Sequence, residues 1–67
     1  MTAVTVNGAA EELAEGTTVA DLVARHRPSS RGVAVARNAE VVPRSQWEAT
    51  VAADGDRFEI LTAAQGG

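Results

Sequence analysis

The sequence predicts one small α+β domain, a mixed β-sheet curled around a single helix. Three observations carry that prediction. Short β-branched runs stand at both ends and in the middle of the chain, with turn signals between them. One stretch alone, residues 18–27, has sustained helical periodicity. The chain has only 67 residues, enough for one modest core and no second domain.

Thr2-Ala3-Val4-Thr5-Val6 alternates and is β-branched, so it reads as a strand with Val4 and Val6 inward. Asn7-Gly8 follows, a strong hairpin signal because a type I′ turn needs positive φ at both central residues. The returning strand is expected over Ala9 to Ala14. Local propensity there is helical, but the run is too short for an isolated helix and Gly16 closes it. Thr18 is the expected N-cap of the helix, with Asp21 three residues on completing a capping box. Val19, Leu22, Val23 and His26 fall on one stripe. Arg25, His26 and Arg27 put positive charge in the last turn, and Pro28 ends the element.

Val33-Ala34-Val35-Ala36 is a compact apolar run suited to a central strand. A turn at Asn38-Ala39-Glu40 leads to a short edge strand, Val41-Val42-Pro43. Arg44-Ser45-Gln46-Trp47 reads as an irregular or single-turn segment that tucks Trp47 into the core, a packing anchor more than a recognition aromatic. Asp54-Gly55-Asp56 is a turn. Arg57 to Thr62 is the last strand, with Phe58 and Ile60 buried and Arg57, Glu59 and Leu61 on the wet face. Set beside the first strand, it runs parallel to it, with the helix as crossover. The domain is thus expected over residues 1–62 and a flexible tail over 63–67.

Composition excludes several function classes. There is no Cys, so the chain has no disulfide and no thiol nucleophile of its own. Net charge is −3 and the six Arg are dispersed, which argues against a nucleic-acid binder. No run approaches the ~20 apolar residues of a membrane span, and the N-terminus lacks a signal-peptide layout, so the cytoplasm is the expected location. His26 has no oriented carboxylate or nucleophile in its local sequence and reads as a helix-end histidine. Asp54 and Asp56 lack the further acids of a calcium loop. Glu11, Glu12 and Glu15 read as a solvated face. The chain is therefore expected to be no enzyme, with no metal and no bound cofactor.

One stretch remains: Ala63-Ala64-Gln65-Gly66-Gly67. Average glycine content gives a chance diglycine at a set position in about 0.5% of chains, and a cloning remnant is the other bland reading. The functional reading is that the Gly67 carboxylate, ionised at neutral pH, is the working group. Glycines lack a Cβ and thread where side chains clash. Five extended residues reach about 17 Å, far enough to enter a partner's active site. Leu61, exposed at the root of this tail, is the candidate docking contact.

The hairpin with Asn7, the Thr18-Val19…Leu22 helix start, Val42-Pro43-Arg44-Ser45-Gln46-Trp47, the Asp54-Gly55-Asp56 turn and Gly66-Gly67 occur together. In these the chain resembles the ThiS family of sulfur carrier proteins in thiamin thiazole biosynthesis, across essentially its whole length. Gln65, Ala63 and Ala64 depart from the family, which more often has small or apolar residues at the first position and larger ones at the other two. The resemblance implies a β-grasp, ubiquitin-like fold. It implies that Gly67 becomes a glycyl adenylate and then a thiocarboxylate, with Ala64, Gln65, Gly66 and Gly67 as the partner-binding tail. The implied partners are a ubiquitin-activating-like adenylyltransferase that uses ATP, a persulfide sulfur donor and thiazole synthase. Two alternatives stay open: a molybdopterin synthase small subunit, with the same fold and tail, and a ubiquitin-like protein modifier. The absence of Lys means that the latter could not build chains on itself.

Overall fold

The computed structural model of the chain describes residues 1–62. The tail residues Ala64, Gln65, Gly66 and Gly67, to which the sequence assigns the chemistry, lie outside the described residues.

Among the described residues, five strands and one α-helix form the domain: β1 (Thr2–Val6), β2 (Ala9–Leu13), α1 (Val19–His26), β3 (Val33–Arg37), β4 (Glu40–Val41), then a 3₁₀ turn (Arg44–Gln46) and β5 (Arg57–Thr62). The sheet order is β2-β1-β5-β3-β4. β5 lies between β1, to which it is parallel, and β3, to which it is antiparallel. The helix is the crossover between the two hairpins, as a parallel β1–β5 pair requires.

Both hairpins close through two-residue turns of the same kind. Val6 pairs with Ala9 across Asn7 (φ 51°) and Gly8 (φ 86°). Arg37 pairs with Glu40 across Asn38 (φ 51°) and Ala39 (φ 72°). Positive φ at both central residues gives the twist that suits the flanking strands. Ala39 holds this conformation with a Cβ in the way, at a cost of about 1–2 kcal/mol.

The helix starts where the capping signals place it. Thr18 Oγ1 accepts from the Asp21 N–H and the Asp21 carboxylate accepts from the Thr18 N–H, each at 3.1 Å. This pair satisfies two of the donors that a helix N-terminus leaves open. Val19, Leu22 and Val23 face the sheet. They meet Val4, Val6, Leu13, Val33, Val35, Phe58 and Ile60, the inward set of alternating strands, and Trp47 and Ala52 close one side.

Trp47 is the anchor expected of it: 5% exposed, its Nε1–H donates to the Val42 carbonyl at 2.9 Å. The Arg44 guanidinium covers the ring, 4.8 Å from its centroid.

Three expectations shift. β2 ends at Leu13, and β4 is Glu40–Val41, so Val42 and Pro43 lead out of the strand. His26 is the last residue of α1, in keeping with its reading as a helix-end histidine. Glu11 is not part of a solvated face. It lies on the helix side of β2 with Leu13, half-buried, and contacts His26 Nε2 at 2.6 Å. The segment 48–53 bridges Val51 to Thr18 and buries Ala52.

Candidate functional site

The root of the tail is the last turn of a physical chain of constraints on β5. At its start stands Asp56, 6% exposed. Its carboxylate accepts from Arg37 Nε at 2.8 Å, from Asn38 Nδ2 at 3.0 Å and from the Ala53 N–H at 2.8 Å. Burial pushes the Asp56 pKa up, but the hydrogen bonds from Ala53, Asn38 and Arg37, with the Arg37 charge, outweigh it and hold the carboxyl below its ordinary value. Asp54 does separate work: its Oδ1 accepts from the Ala3 N–H at 2.7 Å. No group of three or more metal-ligating side chains occurs among the described residues.

At the other end of β5, Val33 of β3 pairs with Thr62, the last described strand residue. The Arg27 guanidinium, from just past α1, donates to Thr62 Oγ1 at 3.2 Å. The strand that leads into the tail is therefore tied both to a neighbouring strand and to the end of the helix.

Leu61 is on the face of the sheet away from the helix, 60% exposed, as the alternation of β5 predicts. Ala34 is its cross-strand partner, and on the same face Ala36 pairs with both Glu59 and Val41. Leu61, Ala34, Ala36 and the exposed Val41 form an apolar strip with thin side chains at its centre. Val41 escaped the sequence reading as a surface residue because a two-residue strand shows no alternation. The behaviour of Val42, which turns inward to the core, is what leaves its neighbour outward.

His26 Nε2 meets Glu11 Oε2 at 2.6 Å at the junction of α1 and β2. A groove of about 560 Å³ runs between α1 and the 3₁₀ turn. Its two arginines are committed within the domain, Arg27 to Thr62 and Arg44 to Ser30. No helix is long and apolar enough to cross a membrane among the described residues.

The model of the ThiS family matches residues 4–67. The chain is 34% identical over 61 residues to the sulfur carrier protein ThiS of Escherichia coli (strain K12), covering 91% of this chain and 92% of that protein. It is 37% identical over 62 residues to a thiazole synthase of Paramagnetospirillum magneticum, covering 92% of this chain; there it spans only 19% of the relative's length. Among solved structures, the crystal structure of a thiamine biosynthesis protein (ThiS) from Geobacter metallireducens is similar with a TM-score of 0.82 and 35% identity, covering 98% of this chain and all of that one. A solution NMR structure of a thiamine biosynthesis protein from the same organism gives 0.79 and 33%, covering 98% and 88%.

Proposed function

The chain belongs to the ThiS family, and from that premise we propose that it carries sulfur for thiazole formation on the carboxylate of Gly67. The observation that carries this reading is the family match, which runs through Gly67, on a domain whose last strand is fastened at both ends.

The chemistry follows from what a carboxylate lacks. It is a poor electrophile, so an adenylyltransferase first joins it to the α-phosphate of ATP, releasing pyrophosphate. The terminal sulfur of a partner's persulfide then attacks the acyl carbon and AMP leaves. A second thiol takes the sulfur–sulfur bond, which frees the thiocarboxylate and forms a disulfide among the partners. This chain has no Cys, so every thiol in the sequence belongs to another protein. Its own part is that of a carrier and not of a catalyst: it presents the tail and offers the Leu61 strip for docking. The bound nucleotide belongs to the activating enzyme.

Thiazole synthase is the proposed acceptor, since a protein of that name holds a segment similar to nearly all of this chain. The cytoplasm, where the ATP and the persulfide donor are found together, is the proposed location. Genetics tests the reading. Loss of the gene is expected to create a thiazole requirement that the full chain relieves and a chain lacking Gly67 does not. A molybdoenzyme defect in its place, or rescue without Gly67, overturns it.

A further inference from the structure

β1 pairs with β5 only at Thr5↔Arg57 and Val6↔Phe58, because the chain turns away at Asn7. The Asn7 N–H still donates to the Phe58 carbonyl at 2.9 Å. Beyond that point no β1 backbone is left to meet Ile60, and its N–H and C=O on that edge would be bare. The Asn7 side chain fills the place. Its Nδ2 donates to the Ile60 carbonyl at 3.2 Å and its Oδ1 accepts from the Ile60 N–H at 2.9 Å. A carboxamide carries one donor and one acceptor in the same plane, as a peptide group does. The side chain thus adds one more rung to the parallel ladder after the main chain has left it.

Among the described residues, that rung is the last hydrogen-bonded contact on this edge of β5. Leu61 and Thr62 have, among the described residues, β3 beside them, through Ala34 and Val33, and Arg27 on the Thr62 hydroxyl. A strand held on one edge opens locally more often than one held on both. We propose that Asn7 is a positioning residue for the end of β5: its carboxamide fixes the direction in which β5 leaves the sheet, and with it the direction from which the chain is presented to the activating enzyme. This rests on the reading that Gly67 is the group activated.

The fold supplies its own control. Asn38 has the same φ of 51° in the matching turn of the other hairpin. Its side chain also holds β5, accepting from the Arg57 N–H at 2.9 Å and donating to Asp56 Oδ1 at 3.0 Å. It does so at the far end of the strand from the tail. Glycine keeps positive φ at either position without the carboxamide, so Asn7→Gly and Asn38→Gly remove comparable contacts and differ in where.

The experiment measures ATP–pyrophosphate exchange by the adenylyltransferase with the full chain and both variants, at a temperature where melts show all three folded. Amide hydrogen exchange at Ile60, Leu61 and Thr62 is measured on the same samples. Asn7→Gly is expected to raise KM about five- to tenfold with kcat within about twofold, a loss of binding without loss of chemistry. Asn38→Gly is expected to change KM by less than about twofold. Exchange at Leu61 and Thr62 is expected to quicken in Asn7→Gly alone. Equal KM values for the two variants, or unchanged exchange at Leu61 and Thr62 in Asn7→Gly, overturn the proposal. Should Asn7→Gly not fold, Asn7→Asp replaces it. Asp tolerates positive φ and keeps the acceptor for the Ile60 N–H, so its KM is expected between the wild-type value and a fivefold rise; a wild-type KM with wild-type exchange overturns the proposal equally. No exchange activity even with the wild-type chain is a failure of the Gly67 reading, and the hydrogen-exchange comparison still decides the role of Asn7.

Discussion

Replacing Asp56 by Asn tests whether the start of β5 is held by charge or by shape. The two side chains are nearly isosteric, so packing is preserved. The carboxylate accepts three hydrogen bonds, from Arg37, Asn38 and Ala53; an amide turns one acceptor into a donor that faces donors. Hydrogen bonds to a charged group contribute about 1.5–3 kcal/mol each, and breaking a buried ion pair from one side costs about 3–5 kcal/mol. Arg37, whose side chain is a third exposed, regains water, which moderates the loss to about 2–3 kcal/mol. A domain of this length has roughly 3–10 kcal/mol in all, so Tm is expected to fall by about 10–20 °C. Urea melts followed by circular dichroism at neutral pH measure it. The pH dependence gives a second reading. Because the folded-state pKa is depressed, the stabilisation by Asp56 is complete above the ordinary carboxylate range and is lost as pH falls through the lowered folded value. The stability gap between wild type and Asp56→Asn should therefore be full at neutral pH and close progressively in acid. A loss under about 0.5 kcal/mol, the scale of an ordinary surface change, or a gap that does not change with pH, would refute the account of this network.

Leu61→Glu places a charge on the apolar strip of a residue that is 60% exposed, so stability should change by less than about 1 kcal/mol while affinity for the activating enzyme falls about tenfold or more; parallel losses in melt and titration would contradict a docking role. Ala39→Gly relieves the left-handed conformation at φ 72° and is expected to raise stability by about 1 kcal/mol in the same urea melts; no gain would show that Ala39 sits there without strain.

Most of the fold was legible because it is written in local windows. Asn7-Gly8, the Thr18…Asp21 box and the alternation of Phe58 and Ile60 each signal within a few residues, and each stands where the signal puts it. What was not legible depends on partners far along the chain. Asn7 meets Ile60 at a separation of 53 residues, and a turn asparagine looks the same whether or not its side chain is used. Glu11 read as solvated because nothing near it in sequence foretells that His26 will lie above β2. Asp56 read as a turn residue, which it is, while its role as an acceptor comes from Arg37 and Asn38 on another hairpin. For the candidate site, alternation exposed Leu61, but the rest of its strip needed the register of β3 and β4.

The central claim is that Gly67 bears the sulfur. Intact-mass spectrometry of the full chain, after incubation with ATP, the adenylyltransferase and a persulfide donor, tests it most directly. The expected result is a mass gain equal to the exchange of one oxygen for sulfur, confined on fragmentation to Gly67 and absent when one residue is added after it. A mass gain elsewhere in the chain, or an unchanged gain in the extended chain, would contradict it.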